Sequence, residues 1–95
     1  MAGEPGIVYR VHATLRMAER GISRAHVEEV IVKGETIENY PDDKPYPSRL
    51  LLATILRRPL HVVAAWNELD REWIVITVYR PDPAEWDTDF KRRKP

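Results

Sequence analysis

The sequence predicts an α+β domain in which two N-terminal helices pack on one face of a four-stranded antiparallel sheet, followed by a short C-terminal helical turn. Three observations carry this. Helical spacing of apolar residues is confined to the first third of the chain, runs rich in β-branched and aromatic residues follow it, and no strand–helix–strand alternation occurs. Helices grouped before strands segregate to one side of an antiparallel sheet.

Tyr9 to Arg20 reads as the first helix, with Val8, Val11, Leu15 and Ala18 on its apolar side, and Gly21 ends it as a left-handed residue. Ser23 is placed to cap a second helix, and Ile22 with Val27 has the spacing of a hydrophobic staple. Val27, Val30 and Ile31 form its apolar stripe, which stops at Lys33-Gly34. Glu35 to Tyr40 is expected at a sheet edge because Glu35, Glu38 and Asn39 lie within it. The next segment, PDDKPYPS, contains three prolines and is irregular. Ser48 to Leu56 is apolar on both faces and reads as a central strand, turned by Arg57-Arg58-Pro59.

Leu60 to Trp66 and Trp73 to Tyr79 carry the strongest strand signal and form a hairpin around Asn67 to Glu72. Along the second run Ile74, Ile76 and Val78 share one face, expected beneath the helices. Trp73, Val75, Thr77 and Tyr79 share the other, expected to be partly wet. Asp82-Pro83-Ala84-Glu85 resembles a capping box opening a helical turn with Trp86 and Phe90 at i, i+4. The polar tail Lys91 to Pro95 is expected to fray.

Ninety-five residues suit one domain, 1–95, with a core from about residue 8 to 90. No apolar run approaches membrane-spanning length, Met1 to Gly6 lacks a secretory pattern, and cysteine is absent, so a cytoplasmic protein without membrane association is expected. The net charge is zero but unevenly distributed: arginines dominate before residue 25, acids from Glu28 to Asp43, and basic residues return at Arg49, Arg57, Arg58 and Lys91 to Lys94. A neutral total therefore permits a cationic face. The chain has no phosphate loop, dinucleotide fingerprint or nucleophile elbow, and His12, His26 and His61 lack zinc-site spacing, so no cofactor and no metal are expected.

What remains is a constellation of cations and hydrogen-bonding groups. His12, Arg16 and Arg20 recur at i, i+4, i+8 and make a cationic ridge beside the apolar stripe of the first helix. A solvated flank, with Glu19 pairing to an arginine, is the plainer account of such a ridge. His61 stands within an apolar strand, where a satisfied structural imidazole is commoner than a general acid or base. Thr77 and Tyr79 fit either exposed sheet hydroxyls or a site, and Trp66, Trp73 and Trp86 fit packing better than base stacking.

The blocks HATLRMAERGIS, KPYPSRLLL, RPLHVV and ITVYRPDPAEW, in order and suitably spaced from about Val11 to Trp86, resemble the small bacterial domain of unknown function four-two-five-eight. The resemblance implies similarity to RelE-like and barnase-like metal-independent toxin ribonucleases, RNA as ligand (ribosome-associated mRNA included), and a small antitoxin protein as partner. His12, Arg16, Arg20, His61, Thr77 and Tyr79 match its polar pattern. Arg57-Arg58 departs from it, since glycine is usual in that turn. The implied chemistry is 2′-hydroxyl attack on the adjacent phosphorus, with His61 as leading general base or acid, Tyr79 second, and His12 sharing proton transfer or fixing Arg16. Arg16 and Arg20, with Thr77, hold the scissile phosphate, while Arg57, Arg58 and the Lys91 to Lys94 tail hold flanking phosphates. The rival expectation is a non-catalytic module, or an inactive member of a toxin–antitoxin pair, that binds protein through the sheet edge and the tryptophan rim.

Hairpin register decides the environment of His61. Pairing Trp66 with Trp73 and continuing without a shift buries His61 on the face of Ile76 and Val78. A one-residue slip places it across from Thr77, with Tyr79 next along. The loop lacks a turn-forcing Asn-Gly pair, so either register, or a bulge between them, is permitted. The slipped register is expected, because an unpartnered imidazole among aliphatic residues costs about 1–3 kcal/mol.

Overall fold

A computed structural model of the protein describes residues 4–95; Met1–Gly3, the head of the segment without a secretory pattern, lie outside the described residues. The elements in order are β1 (Gly6–Tyr9), α1 (Val11–Arg20), α2 (Arg24–Lys33), β2 (Glu35–Tyr40), β3 (Ser48–Ile55), β4 (Arg58–Asn67) and β5 (Glu72–Tyr79). The strands make one mixed sheet ordered β1-β5-β4-β3-β2, in which β1 runs parallel to β5 and the other neighbours are antiparallel.

The four-stranded antiparallel expectation is thus corrected. Gly6–Tyr9 is a strand, and the helix begins only at Val11. Ile7, Val8 and Tyr9 are β-prone residues, and pairing them with Trp73, Ile74 and Val75 satisfies an otherwise open edge of β5. Val8 matched helical spacing by coincidence.

The helices also pack differently from the expectation. α1 lies against β5, and α2 against β3 and β4. α1 buries Ala13 and Met17, whereas Val11 is 77% and Leu15 57% exposed. The small Ala13 side chain lets the backbone of this ten-residue helix approach the sheet, which a stripe of larger residues would hold away. Gly21 closes α1 at φ 64°, and the Ser23 hydroxyl accepts the His26 N–H at the start of α2, both as the sequence indicates. Val27 and Val30 of α2 are fully buried.

Beneath the helices lie Leu51, Ile55, Leu60, Val62, Ala64, Val75 and Val78, not the expected Ile74–Ile76–Val78 face. The cause is a β-bulge. Trp66 pairs with Trp73 and Ala64 with Val75, but Val63 pairs with Thr77 and His61 with Tyr79, leaving Ile76 as the extra residue. The faces therefore exchange along β5: Trp73, Val75 and Val78 turn toward the helices, while Ile74, Thr77 and Tyr79 turn away. His61 joins the face of Tyr79, with Tyr79 itself as its cross-strand partner in place of Thr77.

The β3–β4 turn is tighter than expected. Ile55 pairs with Arg58, so Leu56 and Arg57 alone make the loop, at φ 50° and 68°, while Arg58 and Pro59 belong to β4. Positive φ at both positions is the pattern that Asn-Gly serves best. Replacing Leu56 with Asn and Arg57 with Gly is expected to raise stability by about 1 kcal/mol. An unchanged or lower melting temperature would show that the turn is not strained.

The expected C-terminal helical turn is replaced by a loop that doubles back. The Asp82 carbonyl accepts N–H groups of Glu85 (2.9 Å) and Trp86 (3.1 Å), but the chain then reverses. Trp86 bridges Arg93, Asp87 N–H bonds Arg92 O (2.8 Å), and Lys94 N–H bonds Glu85 O (2.8 Å). The run Asp87-Thr88-Asp89 favours turns over helix, and the reversal seats Trp86, 2% exposed, against the sheet face away from the helices. Lys91 pairs with Glu35 at 3.1 Å.

Candidate functional site

A cleft of about 440 Å³ opens between α1 and the C-terminal end of β5. β1 pairs only with Glu72 to Val75, and after Arg10 N–H bonds Val75 O (3.0 Å) the chain turns into α1. Beyond Val75 the outer edge of β5 has no strand partner among the described residues. α1 supplies one wall through His12, Arg16 and Arg20, brought to the rim because Ala13 and Met17 point into the core beside them. Thr77, Tyr79 and Arg80 supply the sheet side. Asp82, Glu85 and Trp86 close the far side, with the Asp82 carboxylate accepting the Ala84 N–H at 2.8 Å.

Three guanidiniums, Arg16, Arg20 and Arg80, thus share the cleft with two carboxylates, Asp82 and Glu85, and one imidazole, His12. Arg16 pairs with Glu19 at 3.2 Å outside this set. Arg20 and Arg80 make no ion pair among the described residues. A concave site with surplus guanidinium is suited to an anion that accepts bidentate hydrogen bonds.

His61 does not line the cleft. It is fully buried behind it, and both ring nitrogens are engaged. Nε2 lies 2.9 Å from the Phe90 carbonyl, which can only accept, so Nε2 carries the proton and Nδ1 accepts from the Tyr79 hydroxyl at 3.2 Å. The ring also stands edge-on to Tyr79 (5.2 Å) and Trp86 (4.5 Å). Burial pulls its pKa below the ordinary 6.5, with the Phe90 carbonyl opposing and Arg93 adding to the shift. Burial also raises the Tyr79 pKa, keeping the phenol protonated near neutrality. Behind them the Tyr40 hydroxyl donates to Glu38, and burial with that carboxylate pushes the Tyr40 pKa up to about 12.

A lowered folded-state pKa has a definite consequence for stability. The unfolded chain takes up a proton at His61 near pH 6.5, whereas the folded one resists until lower pH, so stability is complete above that range and falls as pH drops through it. Melting temperature is expected to decline from pH 7.5 toward pH 5, and His61→Gln to flatten that decline. Equal slopes in both proteins would contradict the assignment.

The structure brings together five of the residues singled out from the sequence: His12, Arg16, Arg20, Thr77 and Tyr79. Arg57, at the β3–β4 turn, and Arg58, at the start of β4, are exposed and outside the cleft wall. Arg80, Asp82 and Glu85 were missed. Arg80 had a readable signal, since a cation directly after Tyr79 and before Pro81 must sit where the strand ends. The two acids reach the cleft through the turn that follows β5, in which the Asp82 carbonyl accepts the N–H groups of Glu85 and Trp86.

Residues 9–80 match the family model described as Domain of unknown function (DUF4258). The chain belongs to this family. No curated protein and no solved structure matches it. In this DUF4258 protein the match covers α1 and β5, hence every cleft residue from His12 to Arg80, and ends before Asp82, Glu85 and Trp86. No described helix is long and apolar enough to cross a membrane.

Proposed function

We propose that the DUF4258 protein binds RNA phosphate in this cleft and cleaves the chain by 2′-hydroxyl attack, as a toxin-type endoribonuclease whose chemistry is carried by its own side chains. The convergence of Arg16, Arg20 and Arg80 with one solvent-accessible imidazole is the observation that supports it. In the reaction His12 takes the 2′-hydroxyl proton, the 2′-oxygen bonds to phosphorus as the bond to the 5′-oxygen breaks, and the departing 5′-oxygen takes a proton from water, leaving a 2′,3′-cyclic phosphate and a 5′-hydroxyl. The guanidiniums offset charge on the phosphorane oxygens. His12 takes the role of proton acceptor that the sequence offered first to His61, because His12 is exposed on the cleft and His61 is enclosed. Tyr79 gives its one hydroxyl proton to His61 Nδ1, and that contact holds its oxygen at the cleft as a hydrogen-bond acceptor. Well-placed proton transfer contributes roughly 10²–10⁴-fold. A cytoplasmic setting and a small antitoxin protein as partner belong to the same proposal.

Cleavage of RNA by the pure protein in EDTA, with cyclic phosphate or 3′-phosphate ends, is the expected result. Activity that disappears on chelation and returns with magnesium would refute the metal-independent mechanism.

A second reading is favoured by a groove of about 270 Å³ lined by Pro5, Ile7, Ile31, Val32 and Trp73 together with the carboxylates Glu4 and Glu28, with Val32 83% exposed. It suits a protein-binding module. The two differ in salt dependence, which is steep for RNA and weak for an apolar interface.

A further inference from the structure

Most cations near an aromatic ring in this fold are already engaged by it. Arg24 lies over Tyr9 (4.9 Å), Arg49 over Trp73 (5.2 Å), Arg71 over Trp66 (5.8 Å) and Arg93 over Trp86 (4.7 Å). Arg58 and Arg80 have neither an aromatic face nor an ion pair among the described residues. The strand register brings these two together. Because His61 pairs with Tyr79 in an antiparallel ladder, continuing it sets Leu60 against Arg80 and makes Arg58 the diagonal neighbour of Arg80. Such neighbours stand roughly 7–8 Å apart, within reach for side chains as long as arginine. Their proximity is felt: burial first and the Arg58 charge second weaken protonation of Arg80. Like charges juxtaposed across strands are destabilising when nothing lies between them.

Arg80 opens on the cleft, whereas Arg58 is exposed just outside it, at the foot of the β3–β4 turn that also presents Arg57. From this juxtaposition we infer a second phosphate subsite, bridged by Arg58 and Arg80, that continues the cleft and makes its ligand a single strand with consecutive phosphates instead of a mononucleotide. The inference rests on the nucleic-acid reading of the cleft. One phosphate sits between Arg16 and Arg20, and the strand then passes Arg80 to Arg58 at the mouth. A phosphate bridging the pair accepts bidentate hydrogen bonds from each guanidinium, which offsets the repulsion. The cleft volume, about 440 Å³, is that of a small-ligand pocket and suits one nucleotide of a single strand.

The test uses fluorescence anisotropy with a non-cleavable 2′-fluoro hexanucleotide, and competition by a 2′-fluoro dinucleotide carrying one phosphate. Wild type, Arg58→Gln and Arg16→Gln are compared between about 50 and 200 mM salt. Arg58→Gln is expected to weaken the hexanucleotide several-fold and to lower its log–log salt slope by about 0.7, while leaving the dinucleotide unchanged. Arg16→Gln is expected to weaken both. If Arg58→Gln weakens both ligands equally, or neither, while Arg16→Gln still weakens both, the second subsite is wrong and the cleft stands. If wild type binds neither ligand, the nucleic-acid reading fails and the subsite with it. Arg58 is exposed at a strand end, so the variant keeps the fold, which an unchanged melting temperature verifies.

Discussion

Arg16→Ala is expected to lower RNA cleavage by roughly 10²–10³-fold, the size of effect that follows loss of one preorganised donor to a developing oxyanion. The same change is expected to leave the melting temperature almost where it was. The Arg16 side chain is 41% exposed, and its one ion pair, to Glu19 at i, i+3, is of the surface kind worth a few tenths of a kcal/mol. Ala13 and Met17, not Arg16, hold α1 to the sheet. A large loss of stability would make Arg16 a structural residue, and full cleavage by a folded Arg16→Ala protein would remove the phosphate role.

His61→Ala is expected to act in the opposite sense, on the fold first. The substitution empties a fully buried site and leaves the Tyr79 hydroxyl and the Phe90 carbonyl without their partner. An orphaned buried polar group costs about 1–3 kcal/mol, and the cavity adds to it, so roughly 2–4 kcal/mol is lost. For a domain of this size that lowers the melting temperature by more than about 10 °C. The 81–95 segment, seated on His61 through Trp86 and Phe90, is expected to become the first part susceptible to protease. Tyr79→Phe keeps the ring and loses only the hydroxyl bond to Nδ1, so its expected loss is nearer 1 kcal/mol. A His61→Ala protein as stable as wild type but devoid of cleavage would restore His61 as a proton-transfer group.

The helix caps, the edge position of β2, the central β3 and the β4–β5 hairpin were legible because each rests on local chemistry: a serine ahead of an apolar stripe, acids within a strand, β-branched runs flanking a polar loop. The ridge of His12, Arg16 and Arg20 was legible for the same reason, since helical spacing alone puts them on one flank. β1 was not, because four residues running into a helix carry little periodicity, and its parallel partner lies more than sixty positions away. The buried stripe of α1 was misjudged because large apolar residues outweigh alanine in any spacing argument, whereas the face that meets the sheet carries Ala13 and Met17.

By itself, the sequence determined the two helices after Arg10, strands β2 to β5, the cation ridge and the partnership of the hairpin strands, all consequences of interactions local in the chain. The tertiary structure alone decided which face each β5 residue takes. One extra residue, Ile76, exchanges the faces, buries Val75 and Val78 together under the helices, and delivers Tyr79 to His61. It also decided that His61 is enclosed, since that depends on Trp86 and Phe90 returning from beyond the sheet. A bulge shifts the register by a single position and a reversal redirects a whole segment, both while altering local propensity hardly at all, and what selects them is the satisfaction of buried polar groups and the filling of the core across distant segments.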